Sequence, residues 1–518
     1  MANFINNLKA ETNYTETENG AVALSSTLNS CLDAFGSLGA MRDSEEERII
    51  KIFSLAFAEN RETTMRMLFY MRDIRGGQGM RRVFRVIVKW LAENKPEYVI
   101  NNLDNFLEYG RADDMICLLD TSIKEAIANW ILNQLNKDYD AYLANEPISL
   151  LAKWLPSENA SSATTKRYAR TLCKLIGYKY SIYRQILSTL RAYSNVVECK
   201  MSANNWTEIK YDQVPARAAM IYSDAFYKHD EEGYTNYITD VATGNAKVNA
   251  ASLFPVDIVN KAKAYHVSHK DIILLDAMWK SLPNYVADQE ETGICVVDVS
   301  GSMTGTPMDV AISLGAYLAD KCRGPFQNHF ITFSSHPKLV EFKGANIVDK
   351  VHNCMSADWG MNTNLEAVFD LILNTAVNNS TPAEDMPKKL YIISDMQFDD
   401  AAGDYVWDGH PRKKSFMQQM KEKYIEAGYD MPTIVYWNVR ASECGMFQDT
   451  FEGENCCMVS GYSPSLFKSI IEGTTYEEEQ VKDATTGELK TTIKATVNPL
   501  DVMRAALYNT RYDAVWCG

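Results

Sequence analysis

Apolar positions recur at three- and four-residue spacing from about residue 24 to residue 279. Ile49, Ile52, Phe53, Leu55 and Ala56 mark one such stretch, and Val83, Ile87, Val88 and Leu91 another. Periodic segments of about 12–20 residues are separated by short polar punctuation: RGGQG at 75–79, ENKPE at 93–97, EYGRADD at 108–114 and NEPIS at 145–149. This spacing predicts consecutive antiparallel helices, with too little period-two alternation for a sheet. No sequence repeats at a fixed period. Helical pairs stacked into an irregular solenoid tolerate such divergence, and that is the expected arrangement.

Near residue 290 the pattern changes. Short apolar, β-prone runs at 293–300, 328–334, 388–395, 433–439 and 455–461 alternate with helix-like segments at about 308–322, 364–377, 412–427 and 464–471. Apolar strands alternating with helices predict an α/β domain with a parallel sheet covered on both faces. The segment 476–497 breaks this order. Its Thr-Gly turn between β-prone arms predicts a hairpin, and the following residues a closing helix with a last strand.

Composition adds a few constraints. The chain has 518 residues, with 46% hydrophobic and 23% charged, which suits two or three globular domains and excludes wholesale disorder. No run approaches the ~18 apolar residues of a membrane span. The first twenty residues lack the charged-then-apolar pattern of a secretion signal and read as a flexible polar arm. Eleven cysteines without framework spacing point to reduced thiols and a cytoplasmic setting. The net charge of −15 argues against a general polyanion binder, but its distribution is polarised. Residues 61–90 carry eight Lys/Arg against Glu62 and Asp73, and residues 153–200 carry nine against Glu158 and Glu198. Two basic regions therefore sit in an acidic remainder.

The chemistry concentrates at the ends of the predicted strands. Asp298, Ser300 and Ser302 stand at i, i+2 and i+4 where the first strand ends; Thr363 lies on a loop before a helix; Asp395 ends another strand. Parallel strands present their carboxyl ends on one edge, where ligands of such sheets bind. Hard oxygen ligands suit Mg2+, or another divalent cation such as Mn2+, which keeps several waters. The plainer reading is that Asp298 and Ser300 only cap the next helix.

Asp298, Ser300 and Ser302, then Thr363, then Asp395 resemble the metal-ion-dependent adhesion site of von Willebrand factor A domains. The resemblance implies direct coordination by the Ser and Thr hydroxyls, direct or water-mediated coordination by the aspartates, and a partner's carboxylate to complete the shell. MRDIRGGQGMRRVFR at 71–85, YGRADD at 109–114, LAKWLPSENASS at 151–162, SIYRQILSTLR at 181–191, the segment 196–226 and VSGYSPSLFKSI at 459–470 resemble an uncharacterised domain-of-unknown-function family. That family is itself similar to the Ro ribonucleoprotein (TROVE) proteins, in which a ring of HEAT-like helical repeats is closed by a von Willebrand A domain. The resemblance implies an arm at 1–20, a helical-repeat ring or arc at 21–285, a doubly wound von Willebrand A domain at 290–472, a hairpin insertion at 473–498 and a closing segment at 499–518. It also implies binding of structured or misfolded small RNA.

An RNA site would draw on the basic regions. Arg72, Arg75, Arg81 and Arg82 flank glycines whose amides, at a helix start, suit a phosphate. Lys166, Arg167, Arg170, Lys174 and Arg184 interleave with Tyr168, Tyr178, Tyr180 and Tyr183, whose faces suit base stacking. Against this, RGGQG also reads as a tight turn with paired arginines, the tyrosines as packing, and Arg111 with Asp113 and Asp114 as an ion-pair corner. His266 and His269 are spaced as a helical pair but lack further ligands nearby. The chain has no phosphate loop GxxxxGK[ST], no GxGxxG after a strand, no GxSxG and no HExxH, so neither an enzyme nor a nucleotide cofactor is expected. Two functions follow: a Ro-like RNA-binding protein, or a non-enzymatic scaffold whose metal site captures a protein partner's carboxylate.

Overall fold

The computed structural model describes residues 12–250, 252–286, 293–333, 336–356, 364–398, 416–441, 450, 456–482 and 489–518. The chain divides into two compact units. One comprises Met1–Ser44, Ser54–Asn60 and Leu253–Asn509, the other Glu45–Phe53, Arg61–Ser252 and Thr510–Gly518.

The first unit is built on a six-stranded sheet. Strands β1 (Tyr14–Glu16) and β2 (Val22–Leu24) form a separate antiparallel hairpin. The sheet proper holds β3 (Gly293–Asp298), β4 (His329–Phe333), β5 (Leu339–Glu341), β6 (Lys389–Ser394), β7 (Thr433–Asn438) and β8 (Cys456–Ser460), in the order β5–β4–β3–β6–β7–β8. The β3, β4, β6, β7 and β8 pairings are parallel, while β5 runs antiparallel to β4. The sheet is therefore mixed, where the sequence predicts a parallel one. Three residues of exposed, half-buried, exposed pattern are too few to betray an edge strand.

Strands β3, β6 and β7 are buried along their whole length, which is why they read as unbroken apolar runs. Ile294, Val296, Leu390, Ile392, Ile434 and Tyr436 share one core with Val368, Phe369 and Leu373 of the helix Leu365–Asn379 and with Tyr424 of the helix Phe416–Glu426. The alternate residues face the other side, where Phe467 of the helix Ser465–Glu472 meets Tyr391, Trp437 and Tyr317. The helix Ser30–Leu38 ends against β8 so tightly that a Cβ on Gly39 would lie 2.2 Å from the Ser460 carbonyl oxygen. Strands β9 (Thr474–Lys482) and β10 (Leu489–Val497) form the hairpin expected after the sheet.

The segment read as a polar arm, residues 1–20, contributes β1, which pairs with β2 just beyond it. Its side chains find buried acceptors: Thr17 donates to the Phe398 carbonyl and Asn19 to that of Gln397, each at 2.8 Å. Nothing in local sequence signals partners some 380 residues away.

The second unit is helical. The helix Arg81–Asn94 buries Val83, Phe84, Val86, Ile87, Val88, Leu91 and Ala92 on one side. Phe84 meets Phe69 and Phe106 in an edge-on aromatic cluster. Ser162 caps the helix Ala163–Leu175 by accepting from the Thr165 amide, and Asp230 caps the helix Glu231–Thr243 through the Gly233 amide. The end of the chain completes this unit. Tyr512 is fully buried beside Tyr70 and Tyr109, and the Asn102 side chain donates to the Trp516 carbonyl. Residues Thr510–Tyr512 form a 3-10 turn where a last strand is expected.

The histidine pair is not formed on one helix. Ser268 caps the helix His269–Lys280, and His266 lies in the irregular backbone before it.

Candidate metal centre

Strand order reverses between β3 and β6: the chain winds one way from β3 to β4 and the other way from β6 to β8. Such a switch point opens a crevice at the carboxyl ends of the two strands. Asp298 is the last residue of β3, and Asp395 follows the last residue of β6. The two carboxylates that the sequence singles out thus end neighbouring strands on one edge.

Both are buried. Asp298 is 0% exposed and Asp395 2%. Asp298 Oδ2 accepts from the Ser394 hydroxyl at 2.6 Å, and Oδ1 from the Ser300 amide at 2.8 Å. Burial pushes the Asp298 carboxyl up to about 6, aided by the charge of Asp395 and opposed by the Ser394 and Ser300 hydrogen bonds. Burial also raises Asp395, against hydrogen bonds from Ser302 and the Gln397 amide and the positive charge of Arg440. Asp395 Oδ1 accepts from that amide at 3.2 Å. Asp395 Oδ2 is buried with no hydrogen-bond partner among the described residues. Ser300 and Ser302 place their hydroxyls 3.0 Å apart in the loop after β3.

Two buried carboxylates, one with an orphaned oxygen, beside two converging hydroxyls make a donor set that fits a hard divalent cation. The set holds only two acidic ligands, and no group of three or more His, Cys, Asp or Glu side chains suited to a metal occurs among the described residues. Thr363 lies outside the described residues.

Sequence reasoning missed what braces this edge. Glu18, in the β1–β2 turn, donates its amide to Gln397 Oε1 at 2.7 Å, so the hairpin holds the loop that follows Asp395. Met396 in that loop is buried with φ +65°, a left-handed conformation costly for an unbranched bulky residue and typical of ligand-bearing loops. Arg440, past the end of β7, donates Nη1 to the Ser302 carbonyl.

The basic residues divide. Arg72 is buried and donates to Asp114 at 2.7 Å; Arg85 also binds Asp114 at 2.7 Å and Asp113 at 3.0 Å. Arg111 grips Asp113 through two nitrogens, at 2.6 and 3.0 Å. The ion-pair corner therefore takes Arg72 away from solvent. The glycine-loop amides turn inward as well: Gly76 donates to Asp73, Gln78 to the Tyr70 carbonyl and Gly79 to the Asp73 carbonyl. A Cβ on Gly77 would stand 1.8 Å from the Tyr70 carbonyl oxygen, so RGGQG is a packed turn, and these amides do not cradle a phosphate. Arg75, Arg81 and Arg82 are exposed.

In the second basic region Arg167 forms two hydrogen bonds to Asp120, at 2.6 and 2.8 Å, and Arg170 one to Glu158 at 2.9 Å. Tyr183 is fully buried with its hydroxyl on the Pro156 carbonyl, and Tyr168 donates to Asp120. Lys174 and Arg184 are exposed, and Lys166 half-buried. No helix among the described residues is long and apolar enough to cross a membrane.

Residues 17–114 and 175–293 match the model of a family described as a domain of unknown function, DUF2828, and residues 292–507 match that of a second, DUF7788. The second match covers the sheet from β3 onward and contains Asp298, Ser300, Ser302 and Asp395. Uncharacterized protein L728 of Acanthamoeba polyphaga mimivirus is 30% identical over 499 residues, which span 89% of this chain and 85% of the viral protein. At that identity and coverage, the chain belongs to the same family as the mimivirus protein L728.

Proposed function

We propose that the sheet unit is a von Willebrand A-type binding domain that holds one divalent cation, Mg2+ or Mn2+, and through it captures an acidic group on a partner. The observation that carries this reading is Asp395 Oδ2, a buried carboxylate oxygen with no partner among the described residues, beside the equally buried Asp298. A buried anion opposed only by the charge of the solvent-exposed Arg440 remains unfavourable, and a cation between the strand ends removes the rest of that penalty. Asp298, Ser300, Ser302 and Asp395 would hold the ion, with Thr363 as a further ligand. When bound, the cation supplies a Lewis-acidic point for one oxygen of the partner. In this reading Asp298 and Asp395 serve the cation, and the function proposed is capture of the partner.

The test is Mn2+ binding to the full chain, read by loss of the free-ion electron paramagnetic resonance signal, with Mg2+ as competitor. One ion is expected per chain, displaced by Mg2+ and lost in Asp298→Ala. Equal binding by that variant, with its fold intact by circular dichroism, would overturn the reading.

A second reading, Ro-like RNA binding by the helical unit, has one observation in its favour. Arg81 stands exposed among Arg111, Arg85 and Arg72, and partial burial together with their like charges holds its guanidinium below the usual range. Arg72, Arg85 and Arg111 are paired with Asp113 and Asp114, so Arg81 is the guanidinium of this corner with a face left for a phosphate. RNA recovered from cells by crosslinking, lost when Arg75, Arg81 and Arg82 are changed to Glu, supports it. Equal recovery by the variant removes it.

A further inference from the structure

Both strand-end carboxylates take their aim from the backbone that follows Asp395. Asp395 Oδ1 accepts from the Gln397 amide, which leaves Oδ2 as the oxygen for the cation. The Met396 amide donates to the Ser394 hydroxyl at 3.1 Å, and that hydroxyl donates on to Asp298 Oδ2 at 2.6 Å. Met396 itself is buried at φ +65°, a conformation that persists in such a residue only when its surroundings over-determine it.

The turn between β1 and β2 supplies those surroundings. Thr17 Oγ1 donates to the Phe398 carbonyl at 2.8 Å, the Glu18 amide to Gln397 Oε1 at 2.7 Å, and Asn19 Nδ2 to the Gln397 carbonyl at 2.8 Å. Gln397 and Phe398 are each 2% exposed, so losing the turn would strip these donors from acceptors that water does not reach. The turn is also closed on itself. The Thr17 amide donates to the Ala21 carbonyl at 2.8 Å and the Gly20 amide to the Thr17 carbonyl at 3.0 Å, so it meets the loop as a preformed piece. Its described apolar hold on the sheet is Ala23, with Ala21 partly buried beside it, and the three hydrogen bonds therefore carry much of the docking.

We infer that the β1–β2 hairpin regulates the cation site, with Gln397 as the positioning residue between them. The docked turn holds residues 396 and 397 in the conformation that aims Asp395 and Asp298 at the ion, and a bound cation in return locks the hairpin down. This inference rests on the metal-binding reading. When the turn lifts, Met396 relaxes to negative φ and the Gln397 amide leaves Asp395 Oδ1. Linkage makes the effect reciprocal: the factor by which docking tightens cation binding is the factor by which the cation favours docking.

The experiment uses the full chain with and without saturating Mn2+. Hydrogen–deuterium exchange of the hairpin, residues 12–24, is read by mass spectrometry, and Mn2+ affinity by electron paramagnetic resonance. In the wild type Mn2+ is expected to slow hairpin exchange about tenfold, a typical coupling between linked sites. Gln397→Met drops the acceptor for Glu18 and keeps the backbone amide that Asp395 uses; Thr17→Val drops the donor to Phe398. Each should weaken Mn2+ binding, by no more than the factor read from exchange, and Thr17→Ser, which keeps the hydroxyl, should restore it. Hairpin exchange that ignores Mn2+ in a wild type that binds it overturns the coupling and leaves the metal site standing, and this arm needs no variant. Slowed exchange in the wild type with full Mn2+ affinity in Gln397→Met overturns the role of Gln397. If the wild type binds no Mn2+, the metal reading fails and this inference with it.

Discussion

Each unit contains a pair of aspartates close together, both buried in the sheet unit and one buried, one half-buried in the helical unit, and the two pairs are handled in opposite ways. In the helical unit, Asp113 and Asp114 receive Arg72, Arg85 and Arg111, and every carboxylate oxygen of the pair has a guanidinium or amide donor. Burial alone would raise the Asp113 carboxyl, but the hydrogen bonds of Arg111 and the charges of Arg111, Arg85 and Arg81 bring it below its ordinary value. In the sheet unit, Asp298 and Asp395 receive hydroxyls and amides but no cationic hydrogen-bond donor among the described residues, and both carboxyls rise. A saturated acidic pair is a structural joint. An unsaturated one, held at a sheet's switch point, is a place where something positive belongs.

The largest test of this contrast removes the saturated joint. Asp114→Ala would leave Arg72 and Arg85 facing each other without the carboxylate that binds both, in a corner where Asp114 itself is 0% exposed. Breaking a buried ion pair from one side costs about 3–5 kcal/mol. Urea unfolding followed by far-ultraviolet circular dichroism should show the helical signal lost at much lower denaturant. An unshifted midpoint would mean the corner contributes nothing.

The unsaturated pair predicts a gain from outside. Mg2+ at a hundred times its dissociation constant should stabilise the sheet unit by about 2.7 kcal/mol, by mass action on the folded state. Thermal denaturation with Mg2+ and with chelator checks this, and Asp298→Ala should erase the difference. The two pairs diverge most plainly in the sign of a charge-removing change. With chelator present, Asp395→Asn keeps Oδ1 for the Gln397 amide and discards a buried charge, so it should stabilise by about 1 kcal/mol, whereas Asp114→Ala destabilises. A loss of stability in Asp395→Asn under chelator would show that the pair is already neutralised within the chain.

The sequence marked the strand-end aspartates and the Arg111–Asp113–Asp114 corner, but not that Arg72 and Arg85 join the corner. Fully buried parallel strands are apolar through their middle, so a carboxylate such as Asp298 or Asp395 where the apolar run stops stands out and the topology does the rest. An ion pair leaves no such mark. Arg72 and Asp114 lie 42 positions apart, and a run of arginines reads the same whether it faces phosphate or its own carboxylates. The bracing of the Asp395 loop by the β1–β2 hairpin was beyond reach for the same reason, since its contacts join residues 379 and 381 positions apart. Helical periodicity gave the helices of the second unit, but aromatic contacts such as Tyr70 with Tyr512 depend on where the chain returns. Thr363, prominent in the motif, falls outside the described residues.

The smallest expected effect bears on the arginines left over once the joint is saturated. Arg81 opens the helix Arg81–Asn94, whose first turn has no acidic residue and whose N-cap, Met80, offers no side-chain acceptor. A cation there opposes the helix dipole and stands among Arg111, Arg85 and Arg72, with only Asp113 favouring it. Arg81→Glu reverses both terms and should raise stability by about 0.3–1 kcal/mol at low salt, shrinking as ionic strength shortens the Debye length. Melting temperatures across a salt series check the sign and the trend. A loss of stability in Arg81→Glu, independent of salt, would instead make Arg81 a fourth member of the joint and leave the helical unit with one fewer cation to offer any phosphate.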